Sequence, residues 1–193
     1  MQTRYEELLT NAKAHREADM LLSGVYGKQN GTFKGCSIGC HLHDIYPDKT
    51  AIEIDDLDDK HQLVSEYYGY PEWLALLQDN VFEGLPGDER GGWHVELAKT
   101  LLSLPKEYDW QTALHRVHVA ILRVSYKTAR EARDIVQAVL TLHERAANGE
   151  TVGDEDWSAA RSAARSAAWS AAWSAAYQEI RDGVLDALKA EAA

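Results

Sequence analysis

The sequence predicts a mainly α protein: packed helices, one glycine-rich loop region and a long alanine-rich C-terminal helix. Three observations carry this. Apolar residues recur at helical spacing through most of the 193 residues. Five glycines, Gly24, Gly27, Gly31, Gly35 and Gly39, crowd one short stretch. A tetrad of one large residue, serine and two alanines repeats near the C-terminus.

The first 23 residues read as one helix. Thr3 and Glu6 have capping-box spacing, Leu8, Leu9, Ala12, His15, Ala18, Leu21 and Leu22 form an apolar stripe, and Gly24 ends it. Each glycine inside a helix costs roughly 1 kcal/mol, so residues 24–43 are expected as loop with short strand-like pieces. Strand signals are confined to residues 25–33 and 51–54. Pro47 and the run Asp55-Asp56-Leu57-Asp58-Asp59 suggest a solvated loop or a helix start.

Pro71 suits the first turn of a helix that Gly84-Leu85-Pro86-Gly87 breaks. Another helix is expected over residues 93–104, stopped before Pro105. Asp109 is a suitable N-cap for a helix reaching about Ser125. Thr128 and Glu131 form a second capping box, opening a helix that ends at Asn148-Gly149.

Asp154 then caps the last helix, expected over residues 154–190 and on the order of 55 Å long at 1.5 Å per residue. Trp157, Arg161, Arg165, Trp169, Trp173 and Tyr177 stand four apart. A period of four makes a slanted row of large side chains beside rows of serine and alanine. Such faces pack closely against other helices or a second copy, so a homodimer is expected. The division this suggests is a helical domain over 1–150 and the long helix over 151–193, packed on that domain or on a partner subunit.

Charge narrows the function. Twenty Lys and Arg stand against 31 Asp and Glu, a net charge of −11. That opposes binding to a nucleic-acid polymer or an anionic membrane surface. No stretch reaches the 18 apolar residues of a membrane span, and the N-terminus has no signal-peptide pattern. Two cysteines, Cys36 and Cys40, are too few for a secreted disulfide scaffold. The expected setting is cytoplasmic, with reduced thiols.

The densest chemistry lies in Gly35-Cys36-Ser37-Ile38-Gly39-Cys40-His41-Leu42-His43. Two thiols and two imidazoles suit zinc, but all four fall in one short run with no second pair to complete a tetrahedron. A cysteine at a helix N-terminus near His41 or His43 is a possible nucleophile, without any known local signature. A third reading is a binding loop, in which glycine amides form an anion nest. Lys28 and Lys34 would add charge, Tyr26 and Phe33 stacking faces, and Ser37 a hydroxyl. The plain alternative is a tight loop with half-buried cysteines. The residues assigned to ligand binding are Tyr26, Gly27, Lys34, Gly35, Cys36, Ser37, Gly39, Cys40 and His41. No catalytic residue, metal ligand or cofactor is assigned. His115 and His118 share a helix face as half of a metal site with no completing partner. Asp55, Asp56, Asp58 and Asp59 lack the pattern of a calcium loop. Trp73, Trp93 and Trp110 read as core anchors.

Val25-Tyr26-Gly27, the Gly35-Cys36…Gly39-Cys40 loop, Pro71-Glu72-Trp73-Leu74-Ala75, Phe82-Glu83-Gly84-Leu85-Pro86 and the Trp/Ser/Ala tail together resemble a family of small phage, prophage and bacterial hypothetical proteins. The resemblance covers most of the chain and implies a phage setting, with no activity attached. The chain departs from that family in having Ser23 where a glutamine is expected. The expected function is therefore non-enzymatic binding of a small phosphorylated or nucleotide-like ligand, such as a host immune signal sequestered by a phage anti-defence protein. The alternatives are a protein–protein inhibitor of a host defence complex, or a thiol- or metal-dependent enzyme.

Overall fold

The computed structural model describes residues 2–159 and 177–190, and it is mainly helical. Its contacts divide the chain into two units, Met1–Lys106 and Glu107–Ala193. No described helix is long and apolar enough to cross a membrane.

In the first unit, α1 spans Gln2–Glu17 and buries Tyr5, Leu8, Ala12 and His15, the three- and four-residue spacing of one helix face. It ends before Gly24, because Asp19 turns the chain with φ +52°. Leu21 then lies beside Gly35, with Leu22 N–H donating to Gly35 O and Gly35 N–H to Met20 O. A small antiparallel hairpin follows, β1 (Lys28–Asn30) and β2 (Thr32–Lys34), turning at Gly31.

The next element differs from expectation. Residues 37–43 are not loop but part of α2, Ser37–Ile45. Cys36 caps it, its sulfur accepting the Gly39 N–H. The propensity argument failed because Gly39 answers a tertiary demand: a Cβ there would lie 1.7 Å from the Tyr26 carbonyl oxygen. Ser37 through Leu42 are all buried, so α2 is a central helix covered on every side.

The strand expected at 51–54 is also helix. Thr50 and Glu53 form a capping box that opens α3, Ala51–Asp55. Then come α4 (Lys60–Tyr68), α5 (Glu72–Gly84, with Pro71 as its N-cap) and α6 (Gly87–Ser103). The last begins directly after Pro86, earlier than the apolar pattern predicted. Trp93 is fully buried on α6, its indole N–H donating to Gln78 O at 3.0 Å.

In the second unit, Asp109 caps α7 (Trp110–Thr128), accepting from Gln111 and Thr112 N–H as expected. Thr128 does not serve as an N-cap. Instead, α7 runs through Thr128, whose hydroxyl donates to Ser125 O. A 3₁₀ turn at Arg130–Ala132 leads into α8, Arg133–Ala147, which ends near Gly149 at φ +82°. Residues 154–159 are helical, and α9 covers Tyr177–Lys189. The rest of the tetrad repeat lies outside the described residues, and with it the expected continuous helix. Ile180, Val184, Leu185 and Leu188 of α9 are buried, and Gly183 sits where a Cβ would come within 3.1 Å of the Ala120 Cβ of α7. α9 thus shares a unit with α7, and the described contacts divide the chain after Lys106.

His115 and His118 do acquire a partner, His143 of α8. The His115 and His143 Nδ1 atoms are 3.0 Å apart, and the His118 and His143 rings stack at 4.5 Å. Burial, with the neighbouring His118 and His115, lowers the His143 pKa from 6.5 to about 3. An unfolded chain therefore binds a proton in this interval that the folded chain refuses. Stability present above pH 6.5 is lost progressively as pH falls toward about 3. Urea midpoints followed by helicity should fall on acidification, and His143→Gln should flatten that fall. A midpoint equally acid-sensitive in the variant would contradict this.

Candidate metal centre

Three helices bring three histidines together inside the first unit. His15 sits in the last turn of α1, His41 in the middle of α2 and His94 on α6. All three are buried, at 2%, 1% and 1% exposure. One ligand atom from each lies within 4.8 Å of the others. Two nitrogens bound to one zinc ion at about 2.1 Å each can be at most about 4.2 Å apart, so only small shifts separate this cluster from a coordination set.

The outward nitrogens of His15 and His94 are held, and that of His41 faces the same carboxylate at longer range. His15 Nε2 is 3.1 Å from Asp44 Oδ1, and His41 Nδ1 is 3.7 Å from Asp44 Oδ2. Asp44 lies one turn beyond His41 on α2, which lets one carboxylate serve both rings. His94 Nδ1 is 2.8 Å from the Ser37 hydroxyl. The inner nitrogens of His15 and His94, Nδ1 and Nε2, face each other at 3.1 Å. Imidazoles fixed from behind by a carboxylate or hydroxyl, with the other nitrogen turned inward, are the arrangement that orients metal-ligating histidines.

A single proton arrangement satisfies the network without a cation. Tyr70 O–H donates to Gln78 Oε1, which turns the Gln78 amide N–H onto Ser37 Oγ. Ser37 O–H then donates to His94 Nδ1, His94 Nε2–H to His15 Nδ1, and His15 Nε2–H to Asp44. Ser37 is fully buried, so its hydroxyl is not presented to a substrate. His41 Nδ1 and Asp44 Oδ2 remain buried without a hydrogen-bond partner.

Electrostatics favours the neutral form of His94 and His41, the form that ligates. Burial, with the nearby His41 and His15, holds His94 well below the ordinary histidine value. Burial also lowers His41, against the opposing pull of Asp44. Burial works to raise the Asp44 pKa, but the His15 bond and the nearby His41 ring outweigh it and bring it down to about 2. Asp44 is thus a carboxylate.

The residues expected to bind a ligand divide differently. His41 and Ser37 belong to this centre. Gly27, Gly35 and Gly39 do not form an anion nest; they allow close backbone packing. A Cβ on Gly27 would lie 2.4 Å from Ala51 O, and one on Gly35 2.3 Å from Tyr26 O. Several amides that a nest would use are already bonded within the fold: Gly24 N–H to Glu83, Gly35 N–H to Met20 O, Cys36 N–H to Val25 O and Gly39 N–H to Cys36 Sγ. Lys34 pairs with Asp19 at 2.7 Å. Phe33 stacks on His43 at 4.1 Å, so that ring face is covered. Tyr26 O–H donates to Asp79. Cys40 donates to Gly35 O and Met20 O, and burial pushes its thiol up to about 12. Burial and Asp79 push Cys36 well above the ordinary thiol value. Neither thiol is activated as a nucleophile, and both are free.

Sequence reasoning missed His15, His94 and Asp44 as members of one site. His15 stood in an apolar stripe, and His94 stood beside a core tryptophan. A histidine on a buried helix face was the available signal in both cases. In comparison with known proteins, the chain matches no protein-family model, no curated protein and no solved structure.

Proposed function

We propose that the unit Met1–Lys106 is a metal-binding domain whose His15, His41 and His94 hold one divalent transition-metal ion, zinc by donor chemistry. The observation that carries this reading is the polarity of the cluster: inner nitrogens converge while Asp44 and Ser37 hold the outer ones. A purely structural histidine network is not expected to leave a buried carboxylate oxygen and a buried ring nitrogen unmatched, as at Asp44 and His41. A cation pulls both groups into register. The imidazoles are closed off from solvent, which suits a held ion rather than one exposed to substrate.

Zinc binding needs the inner nitrogens unprotonated. His15 already offers Nδ1. His94 moves its proton from Nε2 to Nδ1, where Ser37 Oγ accepts it. The expectation of a nucleotide-like ligand has less support, since the amides of Gly24, Gly35 and Gly39 are bonded within the fold.

Elemental analysis of protein purified without a histidine tag tests the proposal. Wild type is expected to carry zinc, and His15→Ala to carry one equivalent less. Asp44→Asn, which keeps the shape of the side chain, is expected to weaken zinc binding by about 10- to 100-fold. Equal zinc content in wild type and His15→Ala, or none in either after loading, would refute the centre.

A further inference from the structure

A second group of donors lies outside the imidazole centre. Asp79 and Glu83 stand four apart on α5 and so share one face. Cys36, capping α2, brings its sulfur to that face, and ligand atoms of the three residues lie within 4.8 Å of one another. The donors thus come from two separate elements, and supporting groups come from a third helix and a loop.

Those supporting groups act asymmetrically on Asp79. His61 of α4 donates to Oδ2 at 3.1 Å, and Tyr26 O–H donates to the same oxygen at 3.2 Å. Oδ1 is left buried, with no hydrogen-bond partner. A carboxylate held by one oxygen, with the other buried and unmatched next to a thiol and a second carboxylate, is a position in which a cation can supply the missing partner. Glu83 is steadied too, both of its oxygens accepting the Gly24 N–H, at 3.0 and 2.9 Å. A carboxylate has about four lone-pair positions, so a metal bond remains available to it.

We infer that Cys36, Asp79 and Glu83 form a second metal site, a thiolate–carboxylate set for a borderline divalent ion such as zinc. Bonds of about 2.3 Å to sulfur and about 2.1 Å to oxygen allow ligands up to about 4.4 Å apart, so shifts of a few tenths of an ångström close the set. Binding displaces the thiol proton to solvent, and the thiolate and carboxylates then share the cation. The mixed sulfur and oxygen donors distinguish this site from the all-nitrogen centre. The two are neighbours in sequence, since Cys36 precedes Ser37 and Gln78 precedes Asp79. Neither uses a ligand of the other, so either can fail alone.

Cobalt(II) added to metal-stripped full-length protein reads the sulfur directly. A thiolate bound to cobalt gives a near-ultraviolet charge-transfer band, whereas cobalt bound only by imidazoles does not. The band is expected to saturate at one equivalent per chain, to vanish in Cys36→Ser and to persist in Cys40→Ser. No band in wild type, or a band retained in Cys36→Ser, overturns the site and leaves the histidine centre untouched. Should Cys36→Ser fail to fold, Asp79→Asn keeps the thiol and decides the question. Cobalt affinity measured on the same band is expected to drop about tenfold or more, and an unchanged affinity overturns the site.

Discussion

Stripping zinc from the wild-type protein with a strong chelator is expected to lower its melting temperature, and His94→Ala is expected to shrink that response to what the Cys36, Asp79 and Glu83 site contributes. A ligand bound only to the folded chain stabilises it by RT ln(1 + [L]/Kd), about 4 kcal/mol at a thousand times Kd. The variant loses that contribution and more. Removing the fully buried imidazole leaves a cavity, which costs about 2–5 kcal/mol for large side chains. It also strands the Ser37 hydroxyl and His15 Nδ1, which bond to the ring, and a buried unmatched group costs about 1–3 kcal/mol. The variant should therefore melt well below even the stripped wild type. Calorimetry with and without chelator separates the two effects. Identical melting of the wild type in both conditions would remove the ion from the account of stability.

Gly39→Ala is expected to be the most damaging single-methyl change in the chain. Its new Cβ would sit 1.7 Å from Tyr26 O and 2.5 Å from the carbonyl carbon. Both are backbone atoms, and neither can swing aside as a side-chain tip does. Overpacking costs about 1–3 kcal/mol where neighbours can move, so the loss here should reach at least the top of that range. In α2 the same alanine would gain roughly 1 kcal/mol of helix propensity, too little to offset the clash. A urea midpoint of Gly39→Ala within error of wild type would show that the Tyr26 backbone is free to retreat. Gly31→Ala is the control: nothing lies within 4 Å of its added Cβ, and only the strain of φ +93° opposes it.

The helices were legible wherever the apolar stripe and the caps agreed. Asp109 and Gly149 ended up where cap chemistry puts them. The glycine stretch misled at α2 because propensity counts the cost of Gly39 without knowing that Tyr26 O occupies the space of its missing Cβ. Residues 51–54 misled because two isoleucines in a short apolar run fit strand and helix alike, and the Thr50–Glu53 box decides between them. Of the candidate centre, only Ser37 and His41 stood within a run that drew attention. His15 and His94 come from α1 and α6, far apart in sequence, and no spacing rule joins them. What does join them is helix packing, which a single sequence encodes only through which faces are apolar.

The contact between His15 and His94 spans 79 positions. During synthesis, the N-terminal helix leaves the ribosome long before its imidazole partner on α6 exists. Until then Asp44 and His41 have no completed cage around them, and nascent chains ending before α6 offer an ion at most two of the three rings. The ion would thus act as a late clasp, fastening the first helix to the last one of its unit only after every intervening segment has been made.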